Sequence, residues 1–251
     1  MKPSAHLTQK LKTLSMQRGF TLMETVIAIL VLAVLLTGFL TVFTPAAQGI
    51  RRSISTQQAD RLKATLERDM STLRVGESTP GLATGFDKAF TWIKEGNTAT
   101  KAIFVYQYRG NRGLPARADG TMQPMTNIEG KPGVDYITQT AARRADDTLF
   151  LEDLDAIVGP LFYVIPTQLI EENNELILGT PGIIANPGGG PAGSPSEYTD
   201  AVITFSAAFH LTPSVSPGYI QGGKFSTKFT AAAQPNSNIK PVFIRNLAVR
   251  R

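Results

Sequence analysis

The hydrophobic pattern changes character twice along the chain. From Phe20 to Phe43 about 24 residues run almost free of polar groups, and the one charge among them is Glu24, near the start. At about 1.5 Å per residue this run is long enough to cross a bilayer as a helix. A second pattern follows: Ile50, Ile54, Leu62, Leu66, Met70 and Leu73 recur at spacings of three, four and eight, with Gln58 in the gap. That is one stripe of a helix, and Arg51, Arg52, Arg61, Lys63, Glu67, Arg68 and Arg74 lie mostly off it. Gly76 marks a stop, with Pro80-Gly81 just beyond. Gly38 and Pro45 interrupt the middle, where a proline removes a hydrogen bond and kinks a helix. The pattern predicts a long N-terminal helix, apolar in its first half and amphipathic in its second.

Past Gly76 helical periodicity fades and glycine and proline become frequent. Strands are predicted at Ala89–Lys94, Lys101–Arg109, Leu161–Ile165, Ala201–Leu211, Lys224–Thr230 and Val242–Val249. Glu95-Gly96-Asn97 reads as a turn joining the first two into a hairpin. Tyr106 and Tyr108 alternate with Val105 and Gln107, as on a sheet with one covered face. Asp146–Ile157 reads as a short helix, and Asn186–Ser196, with Pro187-Gly188-Gly189-Gly190-Pro191, as a flexible surface loop. About 175 residues remain for this part, enough for one domain with its own core.

A carboxylate inside an apolar run is costly, so Glu24 is a functional residue by default. The junction Arg18-Gly19-Phe20-Thr21-Leu22-Met23-Glu24 and the run behind it resemble the leader of type IV pilins and pseudopilins. The resemblance covers roughly residues 15–75. It implies cleavage by a membrane-bound prepilin peptidase between Gly19 and Phe20, then N-methylation of Phe20. It further implies that Glu24 pairs with the N-terminal ammonium of a neighbouring pilin or pseudopilin subunit during filament growth. Physically this is reasonable, since both charges lie in or near hydrocarbon, where an unpaired ion strongly prefers a partner.

Charge then reads differently. The whole chain carries +5, but Lys2, Lys10, Lys12 and Arg18 all precede Phe20 with no acid among them, leaving +1 for the rest. No nucleic-acid-binding surface is implied. The basic leader instead favours a cytoplasmic N-terminus and a head domain outside the inner membrane, a bias that Arg51 and Arg52 weaken. With no cysteine there is no disulfide and no thiolate metal site, which argues against the disulfide-bonded loop common in major pilins. The residues also offer little chemistry. Only His6 and His210 are present, His6 lies in the leader, and His210 reads as a structural residue at the end of an apolar strand. Asp146, Asp147, Glu152, Asp153 and Asp155 form the main acidic cluster. It lacks the glycine-punctuated spacing of an EF-hand loop and sits where a helix start favours acids. The glycine run at 188–190 has no Lys-Ser or Lys-Thr after it and is not a phosphate loop. Neither a metal nor a cofactor is expected, and no catalytic residue.

The expectation is an α+β protein: a long N-terminal helix, membrane-spanning in its first half, packed on an antiparallel β-sheet head domain. The expected divisions are a leader (1–19), a transmembrane and assembly helix (20–44), its amphipathic soluble half (45–75) and a β-rich head (76–251). Function is structural, as a minor pilin or pseudopilin whose partners are the prepilin peptidase, other subunits and inner-membrane lipid. Three alternatives compete: a secretory signal peptide cut near Thr44-Pro45-Ala46-Ala47, a membrane-anchored binding module that never polymerises, and an anchored enzyme. Ala33, Thr37 and Thr41 make a small-residue ladder that either packs against another helix or faces lipid.

Overall fold

A computed structural model describes residues 21–77, 82–234 and 237–251, with the backbone alone at 42–57 and 59. Helical backbone runs without a break over α1 (Leu22–Ser71), past Gly38 and Pro45, where an interruption was expected. The chain separates into two compact units, Met1–Ser55 and Thr56–Arg251. Within the second unit the predicted stripe holds at Leu62, Leu66 and Met70, which are buried in the core, whereas α1 ends at Ser71, short of the expected stop at Gly76, and leaves Leu73 outside the helix and half-buried. Ile50 and Ile54 fall where only backbone is described.

The second unit is an antiparallel sheet with helices on both faces. Its strands are β1 (Ile103–Asn111), β2 (Tyr136–Arg144), β3 (Phe162–Glu172), β4 (Glu175–Leu178), β5 (Val202–Leu211) and β6 (Phe243–Arg250). They run in the order β2-β1-β3-β5-β6, with β4 hairpinned onto the far end of β3. The helices are α2 (Gly85–Glu95), α3 (Thr148–Asp153), the single turn α4 (Pro217–Ile220) and α5 (Gly223–Ala232). The expected α+β class is what the structure shows.

Two predicted strands are helices. Ala89–Lys94 belongs to α2, which opens with a capping box: the Thr84 hydroxyl accepts from Asp87 N–H and the Asp87 carboxylate accepts from Thr84 N–H. Gly96 does not turn a hairpin; its N–H donates to the Trp92 carbonyl and closes α2. Lys224–Thr230 belongs to α5, where Phe225 and Phe229 are one helical turn apart on the buried side. In both segments aromatic and β-branched residues suggested strand, but packing onto a sheet face decided for helix. Asp146–Ile157 holds the expected short helix, α3 followed by a 3₁₀ turn at Leu154–Ala156.

The expectation of one covered face is also corrected. On one side of the sheet Ile103 and Val105 of β1, Val164, Phe205 and Phe209 pack under α1 and α2. On the other, Phe104, Tyr106, Tyr108, Tyr163 and Ile165 pack under α3 and α5, with Phe104 stacked on Phe150 at 4.5 Å. Burial on both faces explains why β1 reads as a continuous apolar run. Strand β3 passes through Pro166 to Glu172, well beyond its predicted end at Ile165. Pro166 is tolerated because its missing N–H would point towards β1, whose pairing with β3 stops at Ile103–Val164. The 186–196 segment lies outside the strands as expected. Its start is pinned to β3 by the Gln168 amide, which donates to the Ala185 carbonyl at 2.9 Å and accepts its N–H at 2.7 Å.

Candidate functional site

Of the residues singled out in the sequence, Gly19 and Phe20 lie outside the described residues. Glu24 stands in the first turn of α1, where the helix dipole favours an anion. Its backbone N–H donates to the Thr21 hydroxyl at 3.2 Å, so Thr21 caps the helix and places Glu24 three residues in. Sequence reasoning quoted Thr21 without giving it this role; the signal was Thr-x-x-Glu before an apolar run. Behind it, Leu22–Thr41 is one helix long and apolar enough to cross a membrane, with mean hydropathy 2.4 and none of the window buried. Such a surface is uncovered protein that lipid or other helices would shield. In the Ala33-Thr37-Thr41 ladder both hydroxyls turn back onto the helix, Thr37 to the Ala33 carbonyl at 2.8 Å and Thr41 to the Gly38 carbonyl at 2.7 Å. The ladder is thereby smooth and self-satisfied, which suits close helix approach in an apolar medium.

In the second unit the acidic cluster is not gathered on one point. Arg117 binds Asp153 at 2.9 Å and Glu152 at 2.7 Å. Arg143 reaches Asp119 at 2.9 Å, Asp147 at 3.1 Å and Asp153 at 3.4 Å, while Arg144 takes Asp146 at 2.9 Å. Arg74 extends the network from Asp119 at 3.3 Å to Asp69 of α1 at 2.9 Å. Burial works against an ionised Asp119, but hydrogen bonds from the Thr121 hydroxyl and backbone and from Arg143 outweigh it and hold the carboxyl at about 2. Burial pushes Asp153 upward, opposed by the Tyr106 hydroxyl, which donates at 2.6 Å, and by Arg117 and Arg143. The network ties the 112–135 loop, β2 and α3 together. Among the described residues no three His, Cys, Asp or Glu groups are placed to hold a metal ion.

His210 is buried on β5, stacked on Tyr163 with ring centroids 5.1 Å apart. Burial, helped by Lys228, holds its imidazole down at about 4, so it is neutral near pH 7. A cleft of about 520 Å³ lies between the β3–β4 hairpin and the glycine-rich loop, lined by Ile170, Glu171, Glu172, Asn186, Tyr198 and Asp200 among others. Its lining carries no histidine, lysine, arginine or serine.

No curated protein and no solved structure matches the chain. The family profile for the prokaryotic N-terminal methylation motif matches residues 14–40, spanning the Gly19–Phe20 junction, Glu24 and most of the apolar run. Families bearing this motif are structural rather than catalytic. The chain thus carries the leader signature of type IV pilins and pseudopilins, joined to an apolar helix fit to anchor it in a membrane.

Proposed function

We propose that this chain is a structural subunit, a minor pilin or pseudopilin, of a type IV pilus or type II secretion-like filament. The observation that carries the reading is a coincidence: the methylation motif overlies an uncovered apolar helix whose first turn holds its one carboxylate, Glu24. Under this reading residues 1–19 are a cytoplasmic leader removed by prepilin peptidase after Gly19, and N-methyl-Phe20 begins the mature chain. Residues 20–44 span the inner membrane and pack in the filament core. Residues 45–75 continue the helix towards the head, and 76–251 form the head outside that membrane. The four basic residues of the leader favour this orientation. Glu24 neutralises the Phe20 ammonium of an adjacent subunit and so sets the stagger between helices, because leaving either charge alone in hydrocarbon is unfavourable.

The test is the N-terminal mass of protein extracted from membranes of a host with its own prepilin peptidase. A chain starting at N-methyl-Phe20 supports the reading. One starting at Met1 indicates a plain anchor, and one starting near Ala47 an ordinary secreted domain. In the same host Glu24→Val is expected to be cleaved normally yet to enter filaments at least several-fold less. Wild-type incorporation of that variant removes Glu24 from assembly.

A further inference from the structure

The two edges of the sheet are treated differently. At β2 the edge is occupied by α1: the Asp69 carboxylate accepts the Ala142 N–H at 2.9 Å, and the Thr65 and Thr140 hydroxyls meet at 2.8 Å. At β6 no strand among the described residues pairs with the outer side. The Arg251 N–H donates to the Ala201 carbonyl in the same register as the Val249–Ile203 pair. This turns the backbone groups of Ile244, Asn246, Ala248 and Arg250 outward, and all four residues are exposed. Of these outward groups, only the Ile244 carbonyl has a partner among the described residues, the Arg245 guanidinium at 3.1 Å. An edge of this length and openness is a template for another strand.

A complementary strand exists elsewhere on the same chain. The hairpin of β3 and β4 turns through Asn173 and Asn174, both with positive φ. Its Gly179 N–H donates to the Gln168 carbonyl, which fixes the register and sends the backbone groups of Leu176 and Leu178 outward. Those two side chains are 62% and 61% exposed, and Ile244 on the β6 edge is 51% exposed. The hairpin bears Glu171, Glu172 and Glu175 and no base, whereas β6 and the residue after it bear Arg245, Arg250 and Arg251 and no acid. Arg245 is committed to Asp60 and Arg251 to Pro195 and Tyr198, but Arg250 has no ion pair or hydrogen bond among the described residues.

We infer that β4 of one copy adds to the outer edge of β6 in a second copy, setting Leu176 and Leu178 against the apolar edge residues and the hairpin glutamates beside Arg250. The contact uses different surfaces on the two copies, so it can repeat head to tail, the kind of contact from which an open filament is built. It rests on the filament reading and specifies how heads meet within it. A few strand pairs bind weakly alone, and packing of the N-terminal helices raises the local concentration that lets them form.

The natural chain has no cysteine, so a disulfide scan of the full-length protein in membranes has no background. A Leu178→Cys copy is co-expressed with an Ile244→Cys, Asn246→Cys or Ala248→Cys copy and then oxidised. Residues paired across such an edge sit about 5.5 Å apart at Cα, within disulfide reach. The expected result is a mixed dimer dominated about tenfold by one of the three positions. No mixed dimer at any position, or dimers from the β6 cysteine copies alone, overturns the contact. Ala28→Cys, read separately, reports helix packing. A ladder from Ala28→Cys without the mixed dimer removes the strand contact and leaves the filament, whereas a mixed dimer without the ladder does the reverse.

Discussion

Asp153 shows what single groups do in this head. It is fully buried, and Arg117, Arg143 and the Tyr106 hydroxyl all converge on it. Asp153→Asn keeps the shape and removes the charge, leaving two guanidinium groups undercompensated inside the protein. The expected loss is about 3–5 kcal/mol, roughly 10 °C in melting temperature for a unit of this size. Glu152→Gln, whose side chain is 55% exposed, should cost less than about 1 kcal/mol, and calorimetry on the two variants checks the contrast. His210 gives a pH dependence with a definite sign. The unfolded chain takes its proton near 6.5 and the folded one only near 4, so the neutral form stabilises the fold above pH 6.5 and that stability is lost as pH falls towards 4. Denaturant midpoints should be level from pH 8 to 6.5 and then decline, less steeply in His210→Phe, which can keep the stack on Tyr163. Equal slopes in both proteins would clear His210 of that role.

Elements were legible where one local rule governed them. The apolar run, the Leu62-Leu66-Met70 stripe, the strands β1, β5 and β6, and the helix after Asp146 all follow from period or capping. Those that failed were decided by distant partners. The strand β2, Tyr136–Arg144, is rich in Thr, Gln, Ala and Arg and is held by pairing to β1 and by Asp69 of α1. The length of β3 past Pro166 depends on where β1 happens to stop. For α2 the cue was present, since Thr84 and Asp87 make a capping box, but Phe90, Thr91, Trp92 and Ile93 outweighed it. The motif around Glu24 was readable because it is contiguous, whereas the ion network joining Asp69, Asp119, Arg143 and Asp153 spans some eighty residues and has no local signature. Helix α2 also depends on a close approach: a Cβ on Gly85 would stand 1.9 Å from the Ser71 carbonyl oxygen at the end of α1. Gly85→Ala is therefore expected to cost about 1–3 kcal/mol by chemical denaturation, although alanine favours helices in general. A neutral or stabilising result would show that the α1–α2 corner yields.

For the molecule as a whole, the compact second unit begins at Thr56, so the last turns of α1 belong to the same core as the sheet. A protein starting at Thr56 should fold as a soluble unit with cooperative melting. One starting at Gly76 loses Leu62, Leu66, Met70 and Asp69 and should expose the α2 face and the β2 edge, giving aggregation or dye binding in solution. Cooperative melting of the shorter piece would contradict this. The way α1 grips the sheet has a mechanical meaning as well. Asp60 reaches Arg245 on β6, Leu62 and Leu66 lie in the core between, and Asp69 holds Ala142 on β2 at the opposite edge. Tension arriving along the chain at Thr56 is thus spread over strands from one side of the sheet to the other. In the filament proposed above, pulling α1 out of the head would mean breaking contacts at both edges of the sheet and in the core between them.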